Sequence, residues 1–519
     1  MDQDNLFSLV HPHFFDSLSR YTVTREYVDP LKALLPPDWM LRRWDVWVGA
    51  GYEGAVVPVQ GFKIHVSSTP AQAVRTLEVV VPHLVRRGVT FKIAGDPRLL
   101  SLLISKRFGR EGSGKFMTIY PPTEEVFREL IEALYEATSG TDLAGPYILS
   151  DRRYRDSRIL HYRYGGMQQV SVLAADGTRR PMIVAPSGEY VSDQRTPYFK
   201  LPEWVEDPFG GTREVTLAAP PVLNGRYRVE AVLAFSNAGG VYRATDLRTE
   251  RTVIIKEARP FSHQWTHAGS TIDAVALLRR EHRVLGRIAH LGNVPEPIDL
   301  FTEWEHTFLV EGVVPGSTFQ TFWHANENLI APYVRRPGRV QSFARTFRTV
   351  ALGAITAVER VHECGVIFGD LSPNNVLVDR ETLEVGLIDF ESAHVPDEDD
   401  EVFTHFSRAF GTLGFMDPRR DLNGTEALRP ADDFYALGAM LSGAIVPVQN
   451  LVALDPGAPR LFLDRLIGMG VPARTRDVID ALLAGDAALA RGLLEDDEQW
   501  PAAPASAAQA APEPEPAYA

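Results

Sequence analysis

Residues 367–379 read IFGDLSPNNVLVD, which sets Asp370 and Asn375 five positions apart in a D-x4-N pattern. Fourteen positions after Asn375, the string LIDFE places Asp389 behind an apolar strand. Phosphoryl transfer needs a base beside the acceptor hydroxyl and acidic or amide oxygens to hold magnesium. Asp370 has the position of the base, and Asn375 and Asp389 that of the metal ligands. A loop aspartate and a solvated strand end would have no reason to keep this order and spacing.

Upstream residues extend the pattern in the same order. VIIK ends an apolar strand on Lys256, within reach of the α- and β-phosphates of a nucleotide. ALLRREHRVLGRI is helical in pattern and carries Glu281, suited to pairing with Lys256. Alone, such a Lys and Glu would read as solvated surface charges; the downstream motif outweighs that reading. LAFSNAGGVY keeps Gly239 of a phosphate-cradling loop but has Ala234 and Ser236 where two further glycines would stand. Small residues still let backbone amides approach phosphate, with less freedom than glycine.

On these residues the second half, about 225–498, resembles the eukaryotic-type protein kinase family. GTLGFMDP (411–418) is similar to the end of an activation segment, and DDFYALG (432–438) to the anchoring central helix, with Asp433. Two departures stand out: Phe368-Gly369 replaces the His-Arg before the catalytic Asp, and Glu391 replaces the glycine of DFG. Losing that Arg removes a docking site for a phosphorylated activation loop. Neither change removes a metal or phosphate ligand, so the resemblance implies an active kinase.

Length and composition fit more than one domain. The chain has 519 residues, 45% hydrophobic and 23% charged, and roughly 100–200 residues per domain gives two or three. The Pro/Gly-rich stretch 201–211 (LPEWVEDPFGG) reads as a domain edge, and 501–519 as a Pro/Ala-rich disordered tail or linker. Before that edge, 71–87 and 124–138 have helical periodicity, the first interrupted by Pro82. GFKIHVS, VTFKIAG and KFMTIY read as strands. The first segment is therefore an α+β domain.

The net charge is −14, yet this domain concentrates cations. Lys63 and His65 stand two apart and so share a strand face, Lys92 lies in the similar TFKIAGD, and Lys115 follows in SKRFGREGSGKF. DRRYRDSRILHYRYGG adds Arg152, Arg153, Arg158 and Arg163. This local basic set points to an anionic ligand. GREGSGK (109–115) is formally G-x4-G-K, but Phe116 stands where a P-loop needs Ser or Thr and a strand follows, so a second nucleotide site is rejected. The residues fit removal of phosphate by β-elimination: a lysine base takes the Cα proton, a histidinium protonates the departing phosphate, and arginines neutralise its oxygens. A strand-face histidine and a solvated arginine face are the plainer alternatives.

FKIHVS, TFKIAGD, GSGKFMTIYP, GPYILSDRRY and HYRYGG, joined to the kinase motifs, resemble the N-terminal two-thirds of class III and class IV lanthipeptide synthetases. That resemblance implies a phosphothreonine-lyase-like α+β domain (1–210) followed by a bilobal protein-kinase-like domain (211–500). By it, Lys92 is the eliminating base, His65 the general acid, and Lys63, Lys115, Arg152 and Arg163 phosphate contacts. It implies a dehydratase that phosphorylates Ser or Thr of a leader-bearing precursor peptide with ATP or GTP and Mg2+, then eliminates phosphate. The family's cyclase domain has no counterpart before the chain ends. Cyclisation then belongs to another protein, or the chain is truncated, or dehydrated peptide is the end product.

The single cysteine, Cys364, excludes a thiolate-rich zinc site, and the acidic balance argues against nucleic acid. With no signal-peptide pattern and no apolar run of about 20 residues, a cytoplasmic protein away from membranes is expected. The acidic run 397–401 reads as a solvated loop before it reads as a regulator of the kinase or a contact for a basic leader peptide. Two rivals share the kinase residues: a signalling Ser/Thr kinase whose first domain only binds a phosphorylated or acidic partner, and a non-catalytic scaffold.

Overall fold

A computed structural model describes residues 20–501, apart from Glu111, Gln169, Arg195, Pro456 and the segments 211–219, 327–337, 421–425 and 446–454. All but the first residue of the Pro/Ala-rich tail lies outside the described residues. The chain divides into two compact units, residues 1–279 with 298–311, and residues 280–297 with 312–519.

The first unit opens with α1 (Val28–Leu34), β1 (Trp39–Trp44), β2 (Trp47–Tyr52), β3 (Gln60–Val66), α2 (Ala73–Arg86), β4 (Thr90–Ala94) and α3 (Pro97–Leu103). It continues with β5 (Met117–Tyr120), α4 (Glu124–Thr138), β6 (Arg152–Arg153) and β7 (Leu160–Gly166). The seven strands form one antiparallel sheet in the order β1-β2-β4-β5-β3-β7-β6. Alternation decides its faces. Phe62, Ile64, Phe91, Ile93, Met117, Ile119 and Tyr162 share one core with Leu77, Val80, Val81 and Leu84 of α2 and Phe127, Leu130, Ile131 and Leu134 of α4. Burying that much aliphatic and aromatic surface is the main driving force for the domain.

Helix α2 runs unbroken through Pro82, against the expected interruption. A proline interior to a helix costs about 3 kcal/mol; four fully buried aliphatic side chains on the α2 stripe offset that. Helix α4 begins where Thr123 Oγ1 accepts the Val126 N–H at 3.3 Å. A small antiparallel sheet, β8 (Ser171–Leu173), β9 (Arg179–Val184) and β10 (Tyr190–Ser192), follows.

The same unit contains a second sheet, in the order β11-β12-β13-β14-β18-β17. Its strands are β11 (Val222–Leu223), β12 (Tyr227–Phe235), β13 (Gly240–Asp246), β14 (Thr252–Ala258), β17 (Pro297–Glu303) and β18 (His306–Gly312). The hairpin β15 (Trp265–His267) and β16 (Ser270–Ile272) leads into α5 (Ala274–Ile288), which the division between units crosses.

The second unit is mostly helical. It holds β19 (Ser317–Thr318), α6 (Phe319–Asn326), α7 (Arg339–Glu363), β20 (Val376–Val378) and β21 (Val385–Leu387). Then come α8 (Glu401–Ala409), α9 (Pro430–Ile445), α10 (Ala458–Ile467), α11 (Arg474–Leu483) and α12 (Ala487–Glu495). Cys364 caps α7 and is half-buried. Among the described residues, no helix is long and apolar enough to cross a membrane.

Candidate active sites

The cations of the first domain are gathered by strand register. Gly49 faces Lys92, Lys92 faces Thr118, Thr118 faces His65, His65 faces His161, and His161 faces Arg153. Directly opposed residues share a sheet face. Lys92, Thr118, His65, His161 and Arg153 therefore form one lateral row, opposite the hydrophobic core. Lys63 pairs with Arg163 one step along the same face. Lys92 and His65 are two strands apart, ~10 Å between their backbones.

Around His65 the row is a buried cluster of polar side chains. Asp151, fully buried, is bonded to His65 Nδ1 and lies 3.9 Å from the Lys115 ammonium. Ser150 Oγ donates to the other Asp151 oxygen at 2.7 Å. Lys63 Nζ donates to the Gly166 carbonyl at 2.9 Å, and the Arg163 guanidinium to Asp193 at 2.9 Å. Lys92 stands over the Trp47 ring, 4.1 Å from its centre.

Burial pushes the His65 ring down to about 3, with Lys115 and Lys63 adding to it against Asp151. Burial acts to raise Asp151, but His65, Lys115 and Arg163 overcome it and hold the carboxyl far below its usual range. At neutral pH the pair is thus a carboxylate and a neutral imidazole whose Nδ1–H points at it, leaving Nε2 as the basic nitrogen. His161 is a structural histidine. Its Nδ1 meets the Ile159 carbonyl at 3.3 Å, its Nε2 accepts the Ile148 N–H at 3.5 Å, and burial lowers it to about 4.

Arg152 does not join this group. It pairs with Tyr162, on the opposite face, is ion-paired to Asp207, and stacks on Phe199. Its neighbour Arg153 takes the place in the row and binds Glu305 of the β17–β18 turn, between the rings of Tyr147 and Trp304. In GREGSGK, Lys115 leads directly into β5 rather than a helix.

In the second sheet, Lys256 of β14 pairs with Val241 across β13, and its ammonium lies 3.6 Å from buried Glu311. The loop joining β12 to β13 turns through Ser236–Gly239, closed by Ser236 N–H to the Gly239 carbonyl at 2.9 Å. A Cβ on Gly239 would come within 1.7 Å of the Glu257 carbonyl, so only glycine fits. The loop is tied to the first domain. Asn237 Nδ2 donates to the Leu103 carbonyl at the end of α3 (3.4 Å). Buried Arg259 donates to the Asn237 carbonyl at 2.8 Å and to the Tyr147 carbonyl. His263 N–H donates to the Ile104 carbonyl at 2.8 Å, and Arg110 stacks on Phe235.

In the second unit, Asp370 Oδ1 accepts from the Thr412 amide at 2.8 Å and its hydroxyl at 2.7 Å. Asn375 Nδ2 donates to the Asp370 carbonyl at 2.9 Å, which fixes the amide's orientation. Asp433 of α9 holds the loop by accepting the Phe368 and Gly369 amides at 2.7 and 2.8 Å. Gly369 is left-handed (φ +84°), with the Ser392 carbonyl where a Cβ would sit, and Phe368 packs on Phe390. Asp389 is also left-handed (φ 69°), a conformation that aspartate adopts more readily than most side chains. Burial raises Asp370 to about 6, helped by the carboxylates of Asp389 and Glu391 and opposed by Thr412. Glu281 Oε1 accepts the Phe390 amide at 2.9 Å. The amide oxygen of Asn375 and the carboxylate of Asp389 are hard donors of the kind magnesium takes, among converging negative charge that a dication relieves.

Two features escaped sequence reasoning. Asp151 sits in a string dominated by arginines, and its partner His65 is 86 positions away. The acidic run 397–401 is not a solvated loop throughout, because Asp399 is buried. Its contact with Arg280 depends on a fold-level meeting of segments 119 positions apart.

Known proteins agree with this architecture. The family description "RamC, N-terminal domain" matches residues 28–219, and "Protein kinase domain" matches residues 227–449. A probable SapB synthase of Streptomyces coelicolor is 36% identical over 454 residues, covering 86% of this chain and 46% of that protein. The DNA damage-responsive serine/threonine-protein kinase RqkA of Deinococcus radiodurans is 30% identical over 225 residues, 42% of this chain and 30% of that protein. The serine/threonine-protein kinase pkn3 of Myxococcus xanthus is 26% identical over 228 residues, 42% of this chain and 37% of that protein. The chain spans less than half the length of each of these relatives. The chain joins a RamC N-terminal domain to a protein kinase domain, an arrangement consistent with the class III/IV-like lanthipeptide synthetases.

Proposed function

We propose that the chain is a bifunctional peptide dehydratase, with a lyase-like domain over residues 1–210 and a kinase domain over 211–500. The observation that carries the reading is one chain holding both the Asp370–Asn375–Asp389 group and a cation-lined sheet row with Lys92 and His65. Asp370 takes the proton of a Ser or Thr hydroxyl, and Lys256 orients nucleotide phosphates. Asn375 and Asp389 hold magnesium, which when bound neutralises charge on the transferred phosphoryl group.

In the lyase-like domain, a phosphorylated side chain lies along the row. Its phosphate faces Lys63, Lys115 and Arg163, and its Cα–H faces Lys92. The phosphate charge raises the pKa of His65, whose Nε2 then carries the proton delivered to the leaving oxygen. Lys92 accepts the Cα proton, the Cβ–O bond breaks, and dehydroalanine or dehydrobutyrine forms with inorganic phosphate. Arg152, on the other sheet face, has no part in this step.

The test is mass spectrometry of a candidate precursor, a small Ser/Thr/Cys-rich peptide sought among the neighbouring genes, with MgATP or MgGTP. Wild type should give loss of water. Lys92→Ala should accumulate phosphopeptide, and Asp370→Ala should leave the peptide unmodified. Full dehydration by Lys92→Ala overturns the assigned base. The partial matches to Ser/Thr kinases favour a second reading, a signalling kinase with a phosphate-binding first domain; phosphorylation without water loss by wild type would select it.

A further inference from the structure

Helix α5 grips the segment after Asp389 at two adjacent residues. Glu281 holds the Phe390 amide at 2.9 Å. Arg280 forks onto Asp399, its Nε 2.8 Å from Oδ1 and its second nitrogen on Oδ2. Both side chains are almost fully buried, 2% and 4% exposed. Asp399 also accepts from the Val395 amide at 2.9 Å and meets His394 Nδ1 at 2.8 Å. His394 in turn pairs through its backbone with Ile367, at 2.8 and 2.7 Å, three positions before Asp370. Asp400 caps α8 by accepting the Phe403 amide at 3.0 Å, and the Phe403 ring lies beside the Arg280 guanidinium. A second contact, Arg287 with Asp397 and Glu398, is more exposed and adds little.

A segment of this kind is commonly ordered by phosphorylation, whose added charge pairs with arginine. Here a fixed carboxylate already occupies the arginine in a bidentate pair. Position 369, where a phosphate-docking arginine would stand, is glycine.

Building on the kinase reading above, we propose that Arg280 and Asp399 are positioning residues that hold the kinase competent without phosphorylation. Asp399 stands in for a phosphorylated residue. It closes the turn 394–399 and fixes α5, so that Glu281 and the Asp389 backbone keep their places.

The experiment uses the full chain, dephosphorylated by a broad phosphatase and verified by intact mass. Phosphoryl transfer to a small Ser/Thr-rich precursor peptide is followed with MgATP, and hydrogen exchange over residues 389–412 is measured in parallel. Unphosphorylated wild type should be active and protected in this segment. Asp399→Asn and Arg280→Lys should lower kcat about tenfold or more, with a much smaller change in the KM for MgATP, and should expose the segment. Elimination from a synthetic phosphoserine form of the peptide should stay unchanged in both variants, which controls for folding. The proposal is overturned if dephosphorylated wild type is inactive or unprotected until phosphorylated, or if both variants keep wild-type rate and protection. If wild type transfers no phosphoryl group under any condition, the kinase reading fails instead, and exchange in the two variants still decides whether the pair orders the segment.

Discussion

Asp151 is a buried carboxylate kept ionised by its neighbours, and in the elimination proposed above its part is to fix one histidine tautomer. An amide in its place keeps the shape and loses the charge. Asp151→Asn should therefore slow elimination ~10²- to 10⁴-fold, the usual worth of a positioned acid or base. Phosphorylation should continue, so phosphopeptide accumulates and is read by mass. Asp370 gives a different signature, because its carboxyl is raised to about 6. As the proposed base it must be ionised for transfer, so the rate of phosphopeptide formation by Lys92→Ala should fall as pH drops below about 6. Folding stability has the opposite sign. A carboxyl raised above its unfolded value binds more protons in the native state, so this group's contribution is present at low pH. It is lost as pH rises from the unfolded value near 4 through the folded one. A rate profile and a denaturation series over that window would show the two trends crossing.

At the scale of elements, the β12–β13 turn is set by sterics. Gly239→Ala would drive a Cβ into the Glu257 backbone, which cannot move without parting β13 from β14. Overpacking of this kind costs about 1–3 kcal/mol. The variant should melt earlier in thermal denaturation and bind nucleotide more weakly in titration calorimetry. Much of the element pattern was legible because period and composition agree locally. GFKIHVS, TFKIAG and KFMTIY became β3, β4 and β5, and the 124–138 periodicity became α4. Pro82 misled, because local chemistry does not reveal how much apolar surface a helix stripe will bury. Register was the larger gap. The arginines of DRRYRDSR were visible as a cluster, but a strand of two residues, β6, decides which faces the row. Parity put Arg153 there and Arg152 on Asp207. The Asp370–Asn375–Asp389 group was legible residue by residue because its members lie within 20 positions; Asp151 and Asp399 meet partners far along the chain.

At the scale of the molecule, residues 1–279 group with 298–311 in one compact unit. Within the first unit, the nucleotide-loop sheet shares Asn237, Arg259, His263 and Arg153 contacts with the lyase-like domain. Each hydrogen bond is worth about 1 kcal/mol net, and those made by buried groups cost more when one partner is removed. A fragment starting at residue 211 should therefore show faster amide exchange in 227–263 and a higher nucleotide KM than the full chain. Equal exchange in the two would show that these contacts are energetically idle. The same grouping bears on how such proteins can be recombined. A chimaera that joins the first domain of one relative to the kinase of another at the linker splits buried Arg259 from one of its two carbonyl acceptors, that of Tyr147. Crossovers that carry residues 1–279 and 298–311 from a single parent keep the donors and acceptors of that sheet together, so the modular unit for exchange is larger than the sequence domain.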